Sequence, residues 1–436
     1  MRIKSLISLL MATVYSTALT ACGGFNPADP ASAFRSTQQS NFASLQGQQA
    51  VPDEYLIKRS GVAYLEKPEE FAQKNGLLFV SEIEGLGVEL FKTSDANAIS
   101  KLQGQVEFAE PNYLRSVSLP QQSGVQAQSV YHRQSAADAA PVPVNNYIGL
   151  IDTGVDLSHP DLQGKLLAGH NTLGGADVND DNGHGTYLAG VAVANNAQQQ
   201  LNGVTPGGRI LPIKALDANG IGTDFSIARG IMTAVEYGAK VIVLSASAPQ
   251  QGKALTAAID YANRLNVPIV APAGNGMAAA SFPGNYRGVL SVNSIDISGQ
   301  QPANFAARSS NVTISAVAQG IRSTLPLRSF SLNRFGLNQG YGQLETPGAA
   351  AIQAAAALTV IRTRQPQLNL AQMRQALLQS ADNLGNPALG AGRLNMARVT
   401  RGTPVAAQNA YGRPAYPTRQ TVSYGSYAHA QPRRGY

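Results

Sequence analysis

Short apolar strands alternate with longer helices over residues 147–400, and this alternation constrains the fold more than any other feature of the chain. The strand-like runs are rich in β-branched residues and lie at 148–151, 210–215, 241–245, 269–271 and 289–291. Helical stretches follow at 185–195, 224–237, 254–265 and 347–363, and 370–380 closes the series. Alternation of this kind predicts an α/β fold, with a mostly parallel sheet covered by helices on both faces.

A second, smaller domain of α+β type is predicted before it, at residues 51–118. Its periodicity gives strands and helices in the order βαββαβ, at 54–59, 67–74, 77–83, 87–92, 95–102 and from 106 onward. This segment carries eleven acidic and seven basic residues, whereas 147–400 carries thirteen acidic and seventeen basic residues. The opposite signs of net charge favour docking of the small domain on the large one.

The start of the chain is typical of a secreted lipoprotein. Arg2 and Lys4 precede an apolar stretch, which ends in Leu19-Thr20-Ala21-Cys22 and resembles a bacterial lipobox. We therefore predict a signal peptide at 1–21, a lipid anchor on Cys22 and a location in the bacterial cell envelope. Gly23 indicates the outer membrane if the cell is Gram-negative. The alternative is an ordinary secretory signal, in which Cys22, the single cysteine of the chain, has no role.

Three segments are predicted to be flexible or disordered. Residues 22–50 and 119–146 are rich in Ser, Gln and Ala, and read as a tether and a linker. The tail at 401–436 holds five arginines, five tyrosines and no acidic residue. It is either a solvated extension or a contact for an anionic envelope polymer. Nucleic acid is not an expected partner, because no base-reading fold is visible.

Three polar residues stand where an open α/β sheet places its functional site. Asp152 ends the first strand of the large domain, in Ile-Asp-Thr-Gly. His184 lies in Asn-Gly-His-Gly-Thr at the start of a helix, and Asn275 follows a later strand in Ala-Gly-Asn-Gly. Sites in such folds form at the carboxyl ends of the strands, so these side chains are candidates for one shared site.

These segments together resemble the subtilase family over almost all of residues 147–400. Ser-Phe-Pro-Gly at 281–284 and Gly-Ala-Gly-Arg-Leu-Asn at 390–395 match further landmarks of the family. The resemblance implies a subtilisin-like fold in which Asp152 orients His184, His184 acts as general base, and Asn275 lines an oxyanion hole. Residues 51–118 resemble the inhibitor-like propeptide of the family, on the strength of 106–112. A generic ferredoxin-like module is the alternative for that segment.

The nucleophile of the family is predicted to be missing. Its motif is Gly-Thr-Ser-x-Ala-x-Pro, and an alignment anchored on Pro347 places the serine on Gln343. Thr346 is expected to point elsewhere, because it lies three residues further along. The sequence thus predicts an inactive homologue of a serine endopeptidase, with a role in binding peptides or proteins or as a scaffold. The alternative is an active endopeptidase with an unrecognised nucleophile.

Two further expectations follow from this interpretation. A chain without its nucleophile cannot remove its own propeptide, so residues 51–118 are predicted to stay attached and docked on the cleft. Pro249, in Ser-Ala-Ser-Ala-Pro at 245–249, is expected to weaken the edge where an extended peptide would bind.

No metal or cofactor is predicted, since the glutamine-rich segment 197–203 has no carboxylate and no other metal-ligand spacing is recognisable.

Overall fold

A computed structural model describes residues 50–118, 146–196, 198–199, 201–276, 281–308 and 311–402. All of them belong to one compact unit. The predicted signal peptide, Cys22, and nearly all of the predicted tether, linker and tail lie outside these residues. Within the described ranges, no helix is long and apolar enough to cross a membrane.

The N-terminal segment forms the predicted βαββαβ unit. Its elements are β1 (Ala50–Arg59), α1 (Pro68–Asn75), β2 (Leu78–Ile83), β3 (Val88–Lys92), α2 (Ala96–Ser100) and β4 (Val106–Ser116). The four strands pair antiparallel in the order β4-β1-β3-β2. The two helices cover a small apolar core that includes Phe71, Phe91 and Leu102. The prediction of a small α+β unit is confirmed.

The remaining strands are β5 (Tyr147–Asp152), β6 (His170–Asn171), β7 (Asn195–Asn196), β8 (Leu201–Asn202), β9 (Arg209–Lys214), β10 (Ile221–Thr223), β11 (Val241–Leu244), β12 (Ile269–Pro272), β13 (Val289–Ile295), β14 (Ile314–Val317), β15 (Arg322–Thr324) and β16 (Tyr341–Gln343). Seven of them form a sheet in the order β14-β13-β12-β11-β5-β9-β6. Every adjacent pair in this sheet is parallel. The predicted α/β class is therefore confirmed.

The helices of the large domain are α3 (His184–Val193), α4 (Asp224–Glu236), α5 (Lys253–Arg264), α6 (Gly348–Arg364), α7 (Leu370–Gln379) and α8 (Met396–Arg401). Helix α6 is buried over most of its length, since every residue from Gly348 to Ile361 is buried. It packs on β11, β12, β13 and β14. Its many alanines allow the helix axis to lie close to the sheet, because their side chains are small.

The small domain shares a core with the large one. Apolar side chains of its sheet, among them Leu56, Ile83 and Val88, belong to the same buried cluster as Ile227 of α4 and Leu255 of α5. The strand β10 of the large domain also pairs with β4, so the N-terminal sheet has five strands in total. The two domains are thus joined by apolar packing and by backbone hydrogen bonds.

Two helices of the large domain donate N-terminal backbone hydrogen bonds to side chains of the small one. The Glu110 carboxylate accepts from the backbone N–H groups of Lys253 and Ala254, each at 2.8 Å. Gly252, the N-cap residue of α5, supplies no side-chain cap of its own. Asn112 Oδ1 likewise accepts from the backbone N–H of Phe225 at 3.1 Å. Because the first N–H groups of a helix have no partner within it, β4 completes both helix ends.

We expect Glu110→Ala to destabilise the whole unit, since it removes two hydrogen bonds and a negative charge from the start of α5. The free energy of unfolding should fall by about 1–2 kcal/mol, which chemical denaturation would measure. Glu107→Ala is the matched control, because Glu107 lies on the same strand and makes an exposed ion pair with Lys58 at 3.0 Å. That variant should change stability by less than about 0.5 kcal/mol. Equal effects of the two substitutions would contradict the capping role.

Candidate active site

The central strand β5 delivers a buried carboxylate to the carboxyl edge of the sheet. Asp152 is its last residue and is fully buried. Its Oδ1 accepts a hydrogen bond from the backbone N–H of Thr153 at 2.8 Å. The same oxygen lies 2.8 Å from Nδ1 of His184, the first residue of α3. The structure therefore brings two of the predicted residues together as an acid–imidazole pair.

The glycines on both sides of His184 have a steric reason. Gly183 has φ of 112°, a left-handed conformation that favours glycine. A β-carbon on Gly185 would lie 2.0 Å from the carbonyl oxygen of Gly154, in the loop after β5. Helix α3 can approach that loop only because this side chain is absent, and the approach is what sets the imidazole beside Asp152.

The loop before His184 is held by Asp180, a residue that the sequence analysis did not single out. Its carboxylate is buried and accepts hydrogen bonds from the hydroxyls of Thr153, at 2.8 Å, and Thr186, at 2.6 Å. It also accepts from the backbone N–H groups of Asn182, Gly183 and Thr186. Asp180 thus ties the loop after β5 to the first turn of α3. The only signal in the sequence was an acidic residue just ahead of a helix start.

The residue that faces the other nitrogen of the imidazole is Thr346. Its Oγ1 lies 2.9 Å from His184 Nε2, and both residues are buried. The backbone N–H of Gly348, in the first turn of α6, donates to the same hydroxyl at 3.2 Å. Asp152, His184 and Thr346 therefore form a continuous acid–imidazole–hydroxyl chain.

This geometry corrects the prediction for the nucleophile position. Gln343 lies on β16, opposite Arg322 of β15 in a two-stranded antiparallel ribbon, and it makes none of the hydrogen bonds of the chain just described. The expectation that Thr346 points elsewhere was wrong, because the turn into α6 directs its hydroxyl at His184. The alignment erred by using Pro347 as its anchor. Moving the register by three residues puts Thr346 on the motif's serine and Gly348 on its alanine.

The arrangement suits proton transfer from a hydroxyl. When Nδ1–H of His184 donates to Asp152, Nε2 is left as an acceptor for the Thr346 hydroxyl proton. A β-carbon on Gly348 would lie 3.2 Å from His184 Cε1 and 3.2 Å from Ser245 Oγ. Glycine at this position therefore keeps the imidazole from being crowded by α6.

Asn275 lies in the turn that follows β12, between two glycines with positive φ. The hydrogen bonds that join Asp152, His184 and Thr346 do not include its amide. Its position after a strand of the same parallel sheet agrees with the predicted edge. Its role as an oxyanion donor stays a prediction.

A strand of the small domain is paired on both of its sides with segments of the large domain. Leu114, Arg115 and Ser116 of β4 pair with β10 on one side. On the other side, Ser116 and Ser247 exchange backbone hydrogen bonds of 3.3 and 3.0 Å. This pairing uses Ser247, two residues before Pro249, and the expectation that Pro249 weakens the edge for an extended peptide stays a prediction.

The direction of this strand points it at His184. The bridge between Ser116 and Ser247 is antiparallel. Residues after Ser116 therefore run beside the residues that precede Ser247, toward Ser245. The hydroxyl of Ser245 and the ring of His184 flank the same point above Gly348. The segment that ends the described small domain, Val117 and Ser118, therefore approaches the site.

No cluster of three or more His, Cys, Asp or Glu side chains that could hold a metal ion occurs among the described residues. The hydrogen-bonded chain at the site consists of one carboxylate, one imidazole and one hydroxyl. These are the groups of acyl-transfer chemistry by a side-chain nucleophile.

An acid–imidazole–hydroxyl arrangement at the carboxyl edge of a parallel α/β sheet is typical of hydrolases with an Asp–His–hydroxyl triad. Residues 145–411 match the model of the subtilase family. The chain belongs to the subtilase family, as the sequence predicted, and it is a homologue of the subtilisin-like serine peptidases.

Curated relatives agree with this assignment. The chain is 34% identical over 288 residues to the thermophilic serine proteinase of Bacillus sp. strain AK1, covering 64% of this chain and 68% of that protein. It is 32% identical over 248 residues to subtilisin DY of Bacillus licheniformis, covering 56% of this chain and 85% of that protein.

Solved structures show the same fold. Fervidolysin of Fervidobacterium pennivorans, described as a keratinolytic enzyme related to subtilisin, superposes with a TM-score of 0.69 at 22% identity, covering 84% of this chain and 63% of that one. The epidermin leader peptide processing serine protease of Staphylococcus aureus superposes with a TM-score of 0.66 at 19% identity, covering 84% of this chain and 100% of that one.

We expect Asp180→Asn to loosen the loop that carries His184. An amide cannot accept all the hydrogen bonds that the buried carboxylate accepts, so the free energy of unfolding should fall by about 2–3 kcal/mol in chemical denaturation. Asp181→Asn is the control, since Asp181 is the next residue and its side chain is 54% exposed in its pair with Lys214. A loss of stability as large in the control would show that Asp180 has no special role.

Proposed function

We propose that this chain is a latent endopeptidase of the bacterial cell envelope, with Thr346 as its nucleophile and its own N-terminal domain in the cleft. The observation that carries the proposal is the distance of 2.9 Å between Thr346 Oγ1 and His184 Nε2. The buried partner of His184 Nδ1, Asp152 at 2.8 Å, supports it. Inactivity was predicted because an alignment placed the nucleophilic serine on Gln343, and the partners of the imidazole are Asp152 and Thr346 instead.

The proposed reaction is acyl transfer to the threonine hydroxyl. His184 Nε2 removes the proton of Thr346 while Oγ1 attacks the carbonyl carbon of a peptide bond. Asp152 holds the resulting imidazolium, which then gives the proton to the departing amine. Water, deprotonated by His184, hydrolyses the acyl-threonine and restores the hydroxyl. Asn275 would donate to the oxyanion of each tetrahedral intermediate.

A threonine is expected to be slower than a serine in this position. Its extra methyl group removes rotameric freedom around the Cα–Cβ bond and crowds the attacking oxygen. A residual hydroxyl is still far better than none, since loss of the serine in subtilisin lowers turnover by about 10⁶-fold. Slow turnover suits a chain whose cleft is already filled by covalently attached residues.

A second candidate is a non-catalytic protein that binds peptides or proteins, with the propeptide-like domain permanently attached. The observation that favours it is β4 itself, which is paired on both sides in the groove. In this alternative the acid–imidazole–hydroxyl chain only shapes a polar binding cleft. The two candidates differ in whether residues 51–118 are ever released.

The intact mass of the full chain during prolonged incubation separates the two. We expect the wild type to be cut slowly after the segment Val117–Ser118, Thr346→Ala and His184→Ala to stay intact, and Thr346→Ser to be cut at least about tenfold faster. Gln343→Ser is the matched control and should behave as the wild type, because Gln343 lies on the ribbon with Arg322.

Each other outcome has a definite meaning. Cleavage by Thr346→Ser but never by the wild type would favour the non-catalytic alternative. Activation by Gln343→Ser would restore Gln343 as the nucleophile position and overturn the proposal.

The proposed location rests on the lipobox-like Leu-Thr-Ala-Cys at 19–22. We expect the wild-type chain in the membrane fraction of lysed cells, because lipidation of Cys22 would anchor it in the bilayer. Cys22→Ser should shift it to the soluble fraction. Deletion of 403–436 with Cys22 intact is the control, and loss from the membrane in that variant alone would assign retention to the basic tail.

A further inference from the structure

A buried arginine near the end of β4 is the most unusual contact between the two domains. Arg115 is 1% exposed, although it lies only three residues before the end of the described N-terminal segment. Its Nε and Nη2 donate to the two carboxylate oxygens of Asp224 at 2.6 and 2.8 Å. Its Nη1 donates to the carbonyl oxygen of Gln250 at 2.5 Å. The guanidinium is thus held by a bidentate ion pair and a third hydrogen bond.

Apart from the ring of Tyr113 on β4, whose centroid lies 6.0 Å from Arg115 Cζ, the groups around the guanidinium belong to the large domain. Asp224 begins α4 and is fully buried, and Gln250 lies in the loop before α5. The ring of Phe282, also buried, has its centroid 5.0 Å from Arg115 Cζ. A β-carbon on Gly252 would lie 1.9 Å from Asp224 Oδ2, so glycine there leaves room for the carboxylate. The pocket is therefore a built feature of the large domain and is filled by a side chain of the small one.

The pocket selects for a planar cation. Burial raises the pKa of the Asp224 carboxyl, and the Arg115 guanidinium opposes that effect. A carboxylate in this position without a positive partner is costly, because the charge is fully removed from water. A leucine would leave it unpaired, and a lysine could not reproduce the bidentate fork.

The strand that carries Arg115 lies as a peptide ligand would lie. It is extended, paired on both sides with the large domain, and directed at His184 through Ser116 and Val117. Any extended peptide in the same register would place the residue that precedes Ser116 into the Asp224 pocket, since side chains alternate along a strand.

We propose that the Asp224 pocket is a specificity site for arginine, and that the cleft takes extended peptide segments with arginine at the position that Arg115 holds. The proposal rests on the proposed function only in treating this groove as the ligand cleft. Arg115 then occupies the pocket that the arginine of a bound peptide would fill. A peptide without arginine would therefore compete poorly with β4 for the cleft.

The test is a binding measurement on the full chain with Thr346→Ala, which prevents turnover, and Arg115→Asp, which sets two carboxylates against each other and expels the strand end. The probe is a dye-labelled peptide with the sequence of residues 113–118, Tyr-Leu-Arg-Ser-Val-Ser. Matched peptides carry leucine or lysine in place of the arginine. Fluorescence anisotropy should show binding of the arginine peptide at least about tenfold tighter than that of the leucine peptide, with lysine in between.

Adding Asp224→Asn to the same chain should abolish the preference for arginine. Equal affinities for the three peptides, or a preference that survives Asp224→Asn, would overturn the proposal. If Arg115→Asp prevents cooperative folding, the same peptides are compared on Arg115→Ala, which removes the guanidinium without adding a charge. Because no turnover is measured, inactivity of Thr346 leaves this result unchanged, and loss of the arginine preference leaves the cleavage test unchanged.

Discussion

The position of one imidazole ring governs the rest of the site. His184 is held between Asp152 and Thr346 by two hydrogen bonds, 2.8 Å on one side and 2.9 Å on the other. The position of His184 depends on the close contact between α3 and the loop after β5, which leaves no space for a side chain at Gly185. Asp180 holds α3 and the loop after β5 together, because it accepts hydrogen bonds from both.

The second constraint is the pairing of β4 with the large domain on both of its sides. Backbone hydrogen bonds fix its register, and Glu110 and Asn112 fix the N-termini of two helices at the same time. The fully buried ion pair between Arg115 and Asp224 adds a requirement of charge. Removal of one partner of such a pair typically costs about 3–5 kcal/mol. The small domain is therefore part of the fold of the large one.

Much of this could be predicted from local sequence. The alternation of strands and helices gave the α/β class, and the βαββαβ order gave the small unit, because each depends on periodicities within a few residues. Asp152 and His184 were also recognisable, since each lies in a glycine-containing turn at the end of a strand or the start of a helix. Asp180 escaped notice because acidic residues before helices are common.

What the sequence by itself determined is the family, the order of the elements and two members of the acid–imidazole–hydroxyl chain. What only the tertiary structure decided is which side chain completes this hydrogen-bonded chain, and how β4 pairs with the large domain. Gln343 and Thr346 lie three residues apart, and the turn into α6 alone settles which of them meets an imidazole 162 residues away in the sequence. The same holds for Arg115 and Asp224, separated by 109 residues, since no local pattern encodes contacts over such distances.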